Sequence, residues 1–266
     1  MGSLDGKVIW LTGASSGIGE ALTYELVRKG ARLIISSRRK EELEKVKGNC
    51  DRSTQPNIRI LPLDLSASNT LQLSVQAAVQ IFGHVDILIN NGGVSQRSFA
   101  KDTSLEVDRK IMEVNYFGTI ALTKYLLPYF QQQKGGYFVV ITSLTGKFGT
   151  PWRSGYAASK HALHGFFDSL RAELWKDHIT VTIIAPGFIQ TPLSLSALTG
   201  NGTPLNKMDA AQYKGKSVKW CAKKIVKAIK SQKQEVYIGG REVLGVYIKR
   251  FFPNLFSRII RKAKVR

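Results

Sequence analysis

Short, continuously apolar runs alternate in this chain with longer amphipathic stretches, and few folds accommodate that pattern. The runs lie at 7–12 (KVIWLT), 31–36 (ARLIIS), 58–63 (IRILPL), 85–89 (VDILI), 137–142 (YFVVIT), 179–184 (ITVTII) and 235–238 (EVYI). A strand with one wet face alternates apolar with polar residues, whereas a strand covered on both faces does not. Helical spacing fills the intervals, with helices expected up to about Lys29, at 40–48, 69–82, from Leu105 to about Gln132, at 154–176 and at 217–231. The stretch 186–215 is rich in loop residues. Strand and helix in turn imply an α/β chain with a doubly wound parallel sheet in three layers. No repeat or linker divides the 266 residues, a length such sheets reach as one domain.

The turn after the first run is Thr12-Gly13-Ala14-Ser15-Ser16-Gly17-Ile18-Gly19. It leads from a strand into a helix. Glycines there allow a tight turn and close backbone approach, and the helix N-terminus offers N–H groups to a pyrophosphate. That context predicts dinucleotide binding, although the spacing is G-x-x-x-G-x-G. The second run ends in Ser36-Ser37-Arg38-Arg39 with no acid. An acid at this point would bond a ribose 2′-hydroxyl; arginine and serine suit a 2′-phosphate. The expected cofactor is NADP(H).

Further on, Ser143 closes an apolar run, and Tyr156 and Lys160 stand four apart at the start of a helix. At that spacing both side chains share one helical face. An ammonium beside a phenol favours the phenolate and lowers its pKa from about 10. A phenol so tuned is a general acid for an alkoxide and a general base for an alcohol. Taken alone, a Tyr-x-x-x-Lys pair also occurs on ordinary solvated helices.

Together these residues identify a resemblance. Over about residues 5–240 the chain resembles the classical short-chain dehydrogenase/reductases, which have a Rossmann fold. The matching motifs are TGASSGIG at 12–19, Asp64 after the third strand, NNGG at 90–93, Asn115, Ser143, Tyr156-x-x-x-Lys160, and PGFIQT at 186–191. Within that family, NNGGVSQRS at 90–98 and SKHALHGFF at 159–167 look most like the member 7 branch. The resemblance implies a catalytic set of Asn115, Ser143, Tyr156 and Lys160. Tyr156 would exchange the proton, Lys160 would lower its pKa and bond the nicotinamide ribose, and Ser143 would hold the substrate oxygen. Asn115 would anchor a water relay reaching Lys160. Cofactor contacts would come from Gly13, Ser15, Ser16, Gly17, Ile18, Gly19, Ser37, Arg38, Arg39, Asp64, Leu65, Asn91, Gly92, Tyr156, Lys160, Pro186, Gly187 and Thr191. Position 92 is Gly where the family usually has Ala, which would loosen the loop over the adenine. Relatives commonly form dimers or tetramers, so a homo-oligomer is expected. The reaction implied is interconversion of a carbonyl and a secondary alcohol. Ser194, Leu195, Leu198 and Met208 fall in the segment that forms the family's substrate lid, and their apolar character suits a steroid, retinoid, keto-lipid or aromatic ketone. A membrane-lipid ketoreductase, for example of a 3-keto sphingoid base, and a non-catalytic NADP-binding regulator are the alternatives.

The remaining residues bound the partners. Net charge is +20, and between Lys214 and Arg266 the only acids are Glu235 and Glu242. Such a balance calls for an anionic partner; no nucleic-acid motif accompanies it, so nucleic acid is not expected. The catalytic domain is read as 1–242, and 243–266 as a basic amphipathic tail rather than a second domain. In that tail aromatics stand beside Lys and Arg, and Pro253 divides it into two short helices. It is too short and charged to span a bilayer, but it suits the plane of an anionic membrane surface; packing on protein is the other reading. Cys50 and Cys221 are far apart, without metal spacing. His161 and His164 lack a ligand set, so no metal is expected and both are assigned to packing or surface. Phe148 and Trp152 either line the pocket or fix the turn before Tyr156. With no leader pattern, the expected location is cytoplasmic, peripheral at a membrane surface.

Overall fold

A computed structural model describes residues 2–263. Lys264, Val265 and Arg266 of the tail lie outside the described residues, as does Met1. Seven strands form one parallel sheet: β1 (Val8–Thr12), β2 (Arg32–Ser36), β3 (Ile58–Ile60), β4 (Ile87–Asn90), β5 (Gly136–Ile141), β6 (Ile179–Pro186) and β7 (Glu235–Ile238). Their order is β3-β2-β1-β4-β5-β6-β7. The chain runs outward from β1 to β3 and then returns to the other side of β1, so a crevice opens at the carboxyl ends of β1 and β4, where such sheets bind ligands.

Ten α-helices accompany the strands among the described residues: α1 (Gly17–Val27), α2 (Lys40–Gly48), α3 (Leu71–Phe82), α4 (Leu105–Met112), α5 (Gly118–Gln132), α6 (Ser154–Glu173), α7 (Ala210–Tyr213), α8 (Val218–Lys230), α9 (Leu244–Phe251) and α10 (Pro253–Arg261). Successive strand residues point to opposite faces, and both faces are dry here. Ile9, Leu11, Leu33, Ile35, Ile87 and Ile89 pack under α1, α2 and α8, joined by Leu22, Leu43 and Ile225. Val8, Trp10, Ile34, Leu88, Phe138 and Val140 pack under α3, α5 and α6, joined by Val75, Leu126 and Phe167. Each such aliphatic side chain contributes about 1.5–3 kcal/mol by leaving water. Trp10 is fully buried, and its indole N–H donates to the Ser36 hydroxyl at 2.9 Å.

Two elements differ from the sequence expectation. The run at 58–63 pairs as a strand only to Ile60. Pro62 has no N–H to give a ladder, although Leu61 and Leu63 still donate to the Ile35 and Ser37 carbonyls. The helix expected from Leu105 to Gln132 is divided by a π-turn at Glu113–Phe117. A π-turn inserts an extra residue, redirects the side chains that follow, and recurs at functional sites. Asn115 lies in it.

Candidate active site

A cavity of about 1230 Å³ runs across the carboxyl ends of the strands. At one end lies the glycine turn. Gly13 (φ +65°) and Gly17 (φ +59°) take the left-handed conformation that glycine tolerates. A Cβ on Gly13 would meet the Gly92 Cα at 2.7 Å, and one on Gly17 would meet Thr191 at 3.2 Å. At these two positions the turn is bare backbone, while Ser15, Ser16 and Ile18 of the same turn line the cavity. Ser16 caps α1 without spending its side chain on the helix amides. The Asn91 amide donates to the Thr12 and Gly13 carbonyls at 3.1 Å each, and Thr12 Oγ1 accepts from the Asn91 and Gly92 N–H groups at 3.0 Å. These bonds hold the end of β4 against the end of β1. Gly92 fits its surroundings: a Cβ there would meet Leu65 Cδ1 at 2.7 Å. Leu65 occupies the space that an alanine methyl would need.

Ser37, Arg38 and Arg39 follow β2 along the cavity wall, and Arg39 donates to Ser15 Oγ at 3.3 Å. Asp64 lies opposite. Burial works against its charge, but bonds from the Ser66 N–H and hydroxyl and the positive fields of Arg38 and Lys110 hold its carboxyl below the usual range. Glu42, the α2 acid that lines the cavity, is paired with Lys45 at 2.9 Å. A bare glycine cradle, an uncapped helix start and two arginines after β2 suit an anionic dinucleotide.

The reactive groups meet at mid-cavity. Tyr156 sits in the first turn of α6, and its hydroxyl lies beside Ser143, which favours its charged form. Ser143 Oγ also accepts the Thr145 N–H at 3.2 Å. Burial raises the Tyr156 pKa, while Ser143 and the charges of Arg97 and Arg153 pull it down. The lowering that the sequence assigns to Lys160 does not appear in the chain alone: the groups that pull the phenol down are Ser143, Arg97 and Arg153, and desolvation of a phenolate outweighs them. Lys160 is itself buried, which brings it down to about 8; its ammonium donates to the Ile141 carbonyl at 3.1 Å and lies 5.8 Å from the Tyr156 ring centroid. Asn115 is fully buried: its amide donates to the Val94 carbonyl at 2.9 Å and to Ser159 Oγ at 3.0 Å, and its Oδ1 accepts the Val94 N–H at 2.8 Å. A Cβ on Gly93 would stand 2.9 Å from Asn115 Oδ1 and 3.6 Å from the Lys160 ammonium. Gly93 thus leaves open the space between these two groups. Every sequence-predicted site residue lines the cavity except Gly19 and Asn115, which stand just behind it. Gly19 packs α1 onto the Gly13 carbonyl.

Four residues outside the predicted set stand around Tyr156, of which Arg97 and Arg153 line the cavity. Gln96 is fully buried, and its Oε1 accepts the Gly155 and Tyr156 N–H groups at 2.8 and 3.2 Å, which caps α6 and fixes the tyrosine backbone. Arg97 and Arg153 share the buried carboxylate of Asp209, at 2.5 and 3.2 Å. Burial and Arg97 bring Arg153 down to about 10, which leaves it charged at neutral pH. Asp209 belongs to the lid segment, as does Gln212, whose amide donates to Thr191 Oγ1 at 2.5 Å. Phe148 lines the cavity and packs on Phe256 at 5.1 Å, whereas Trp152 takes φ +70° and stacks on Phe99 at 3.8 Å. The first is a wall residue and the second fixes the turn.

His164 is buried behind Ser143, bonded to Thr142 Oγ1 at 3.1 Å and 3.3 Å from Glu235, which Lys147 reaches at 2.8 Å. Burial resists the Glu235 charge, but His164 and Lys147 prevail and take it from 4.5 to about 2. A depressed carboxylate stabilises the fold above its unfolded pKa, and that contribution is lost as pH falls towards the folded one. The urea midpoint should therefore drop between about pH 4.5 and 2. His164, lowered mainly by burial, destabilises the fold at higher pH, below 6.5. Glu235→Gln should flatten the lower range and, because Glu235 holds the His164 pKa up, deepen the loss below 6.5; an unchanged acid profile would remove Glu235 from the account.

Comparisons with known proteins show the family. The short chain dehydrogenase family model matches residues 7–200. A dehydrogenase/reductase SDR family protein 7-like from Anopheles gambiae is 46% identical over 265 residues, 97% of this chain and 83% of that protein. Human dehydrogenase/reductase SDR family member 7 is 40% identical over 256 residues, covering 94% and 76%. Among solved structures, a short chain dehydrogenase/reductase from Burkholderia phymatum in complex with NAD superposes with a TM-score of 0.83 at 21% identity, covering 96% of both chains. One from Burkholderia cenocepacia in complex with NADP gives 0.78 at 23%, covering 98% and 100%. With a glycine cradle, a serine–tyrosine–lysine centre and relatives of this similarity over nearly its whole length, the chain belongs to the short-chain dehydrogenase/reductase family of oxidoreductases.

Proposed function

We propose that the chain is an NADP(H)-dependent oxidoreductase that interconverts a carbonyl and a secondary alcohol on an apolar substrate. The observation that carries this is the meeting of Tyr156, Ser143 and Lys160 in one cavity with the glycine cradle and Ser37–Arg39 at its far end. A bound nicotinamide dinucleotide supplies or accepts the hydride. In the reduction direction the Ser143 hydroxyl donates to the substrate oxygen as charge develops on it, and Tyr156 gives that oxygen its proton. The Lys160 ammonium stabilises the resulting phenolate, and Asn115 shapes the pocket through which the proton is replaced. Pro186, Gly187 and Thr191 close the floor; Gly187 stays bare because Glu242 occupies the place of a Cβ. The substrate end is walled by Leu144, Phe148, Phe188, Leu195 and Leu198, which supports an apolar substrate.

Arg38 is exposed on the wall beside Ser37, with no acid at the end of β2. Replacing Arg38 with Ala should weaken NADPH about 10- to 100-fold, the value of a charged hydrogen bond of about 1.5–3 kcal/mol. NADH affinity should hardly change. Titrating both cofactors by fluorescence on wild type and variant checks this; equal losses would show that Arg38 does not read the 2′-phosphate.

A further inference from the structure

The C-terminal helices have two apolar faces, and only one of them is used by the protein. On the inner side Val246 and Phe256 are buried against Leu144, Phe148 and Ala185. Gly245 approaches the Phe148 ring so closely that a Cβ would stand 3.2 Å from it. On the outer side Leu244, Tyr247 and Phe251 recur at helical spacing along α9 and are 50–68% exposed. Phe252 at the corner, and Leu255 and Ile259 on α10, continue the strip at 47–62% exposure. Leu244 and Ile259 are exposed and also line the cavity, together with Ile248 and Ile260. The cavity rim and the apolar strip are therefore one surface.

Charge decides what covers that surface. Lys249, Arg250, Arg258, Arg261 and Lys262 border the strip, and α9 and α10 contain no acid. A second copy of this chain would bring like charges together. A neutral apolar partner would leave five cations without a counter-charge. A bilayer with anionic headgroups meets both requirements, since aromatics and Leu settle at the acyl boundary while Lys and Arg reach the phosphates. Among the described residues no helix is long and apolar enough to cross a membrane, so the pair would lie in the plane of the surface. We propose that α9 and α10 dock on an anionic bilayer and that the cavity takes its apolar substrate from that bilayer at the rim formed by Leu244 and Ile259. The docking stands independently, while the substrate route rests on the reading of the cavity as an oxidoreductase site.

The test is co-sedimentation of the full chain with vesicles of phosphatidylcholine alone or mixed with phosphatidylserine, at low and high salt. Wild type should pellet with the mixed vesicles and be weakened by salt. Lys249→Glu with Arg250→Glu should weaken that binding at least 25-fold, since each basic residue contributes about 1 kcal/mol, roughly fivefold, near an anionic surface. Phe251→Ser with Phe252→Ser should lose it, and should raise KM for a vesicle-borne ketone. These four residues lie off the cavity wall, so NADPH binding and kcat/KM for a water-soluble ketone should not change. Failure of those two controls in wild type would sink the oxidoreductase reading; failure to pellet would sink the docking. Variants that pellet like wild type, or that dissolve a dimer instead, would also overturn it.

Discussion

Tyr156→Phe should reduce turnover by about 10²–10⁴-fold, the usual contribution of a positioned acid or base, and leave NADPH binding in place. The ring is buried and its shape is kept, so only the hydroxyl is lost. That hydroxyl stands beside Ser143 at a cavity wall, and its removal should hardly move the unfolding midpoint. A protein that melts normally, binds NADPH and does not reduce ketones is the expected result. Turnover near wild type would dismiss Tyr156 as the proton donor. Because burial raises its pKa, the phenol holds its proton at neutral pH. Reduction should therefore persist into mildly alkaline conditions, while oxidation, which needs the base form, should rise with pH.

The parts of this molecule that could be read from sequence are those whose cause is local. Seven apolar runs marked the strands because a doubly covered strand has no polar face to show. TGASSGIG marked a phosphate-binding turn because positive φ and close approach demand glycine at fixed offsets. Tyr156 and Lys160 stood out by one helical turn of spacing, but took meaning only from the glycine turn and Ser143 upstream. Gln96, Arg97, Arg153 and Asp209 left no such trace. Gln96 caps a helix 59 residues downstream through Gly155, and Arg97 meets Asp209 across 112 residues; a buried polar pair across that distance has no periodicity. The segment SQRS was visible in the family likeness, but its chemistry was not. The π-turn was hidden for a related reason: α4 and α5 have continuous helical spacing, and the extra residue shows only in the backbone at Glu113–Phe117.

The hidden cluster also carries the largest stability effect expected here. Asp209 is 2% exposed, and Arg97 and Arg153 are 4% and 5% exposed. Asp209 stands at the N-cap of α7 without bonding the helix amides, because its carboxylate is turned to the two guanidiniums. Its own N–H donates to Ser194 Oγ at 3.3 Å, so one residue ties two parts of this segment to the wall beside Tyr156. Removing one partner from a buried ionic cluster costs about 3–5 kcal/mol, since the charges left behind stay desolvated. Asp209→Ala should therefore lower the unfolding free energy by about that amount, and it should open 188–215 to proteolysis before the core unfolds. Asp209→Asn, which keeps an acceptor but no charge, should fall between. If the cost arises from stranded charge rather than lost packing, Arg97→Met should recover part of the stability of Asp209→Ala. That coupling is read from a double-mutant cycle in urea. Losses that simply add would show that the carboxylate and Arg97 act independently, and the lid would then owe its closure to Gln212 and Thr191 instead.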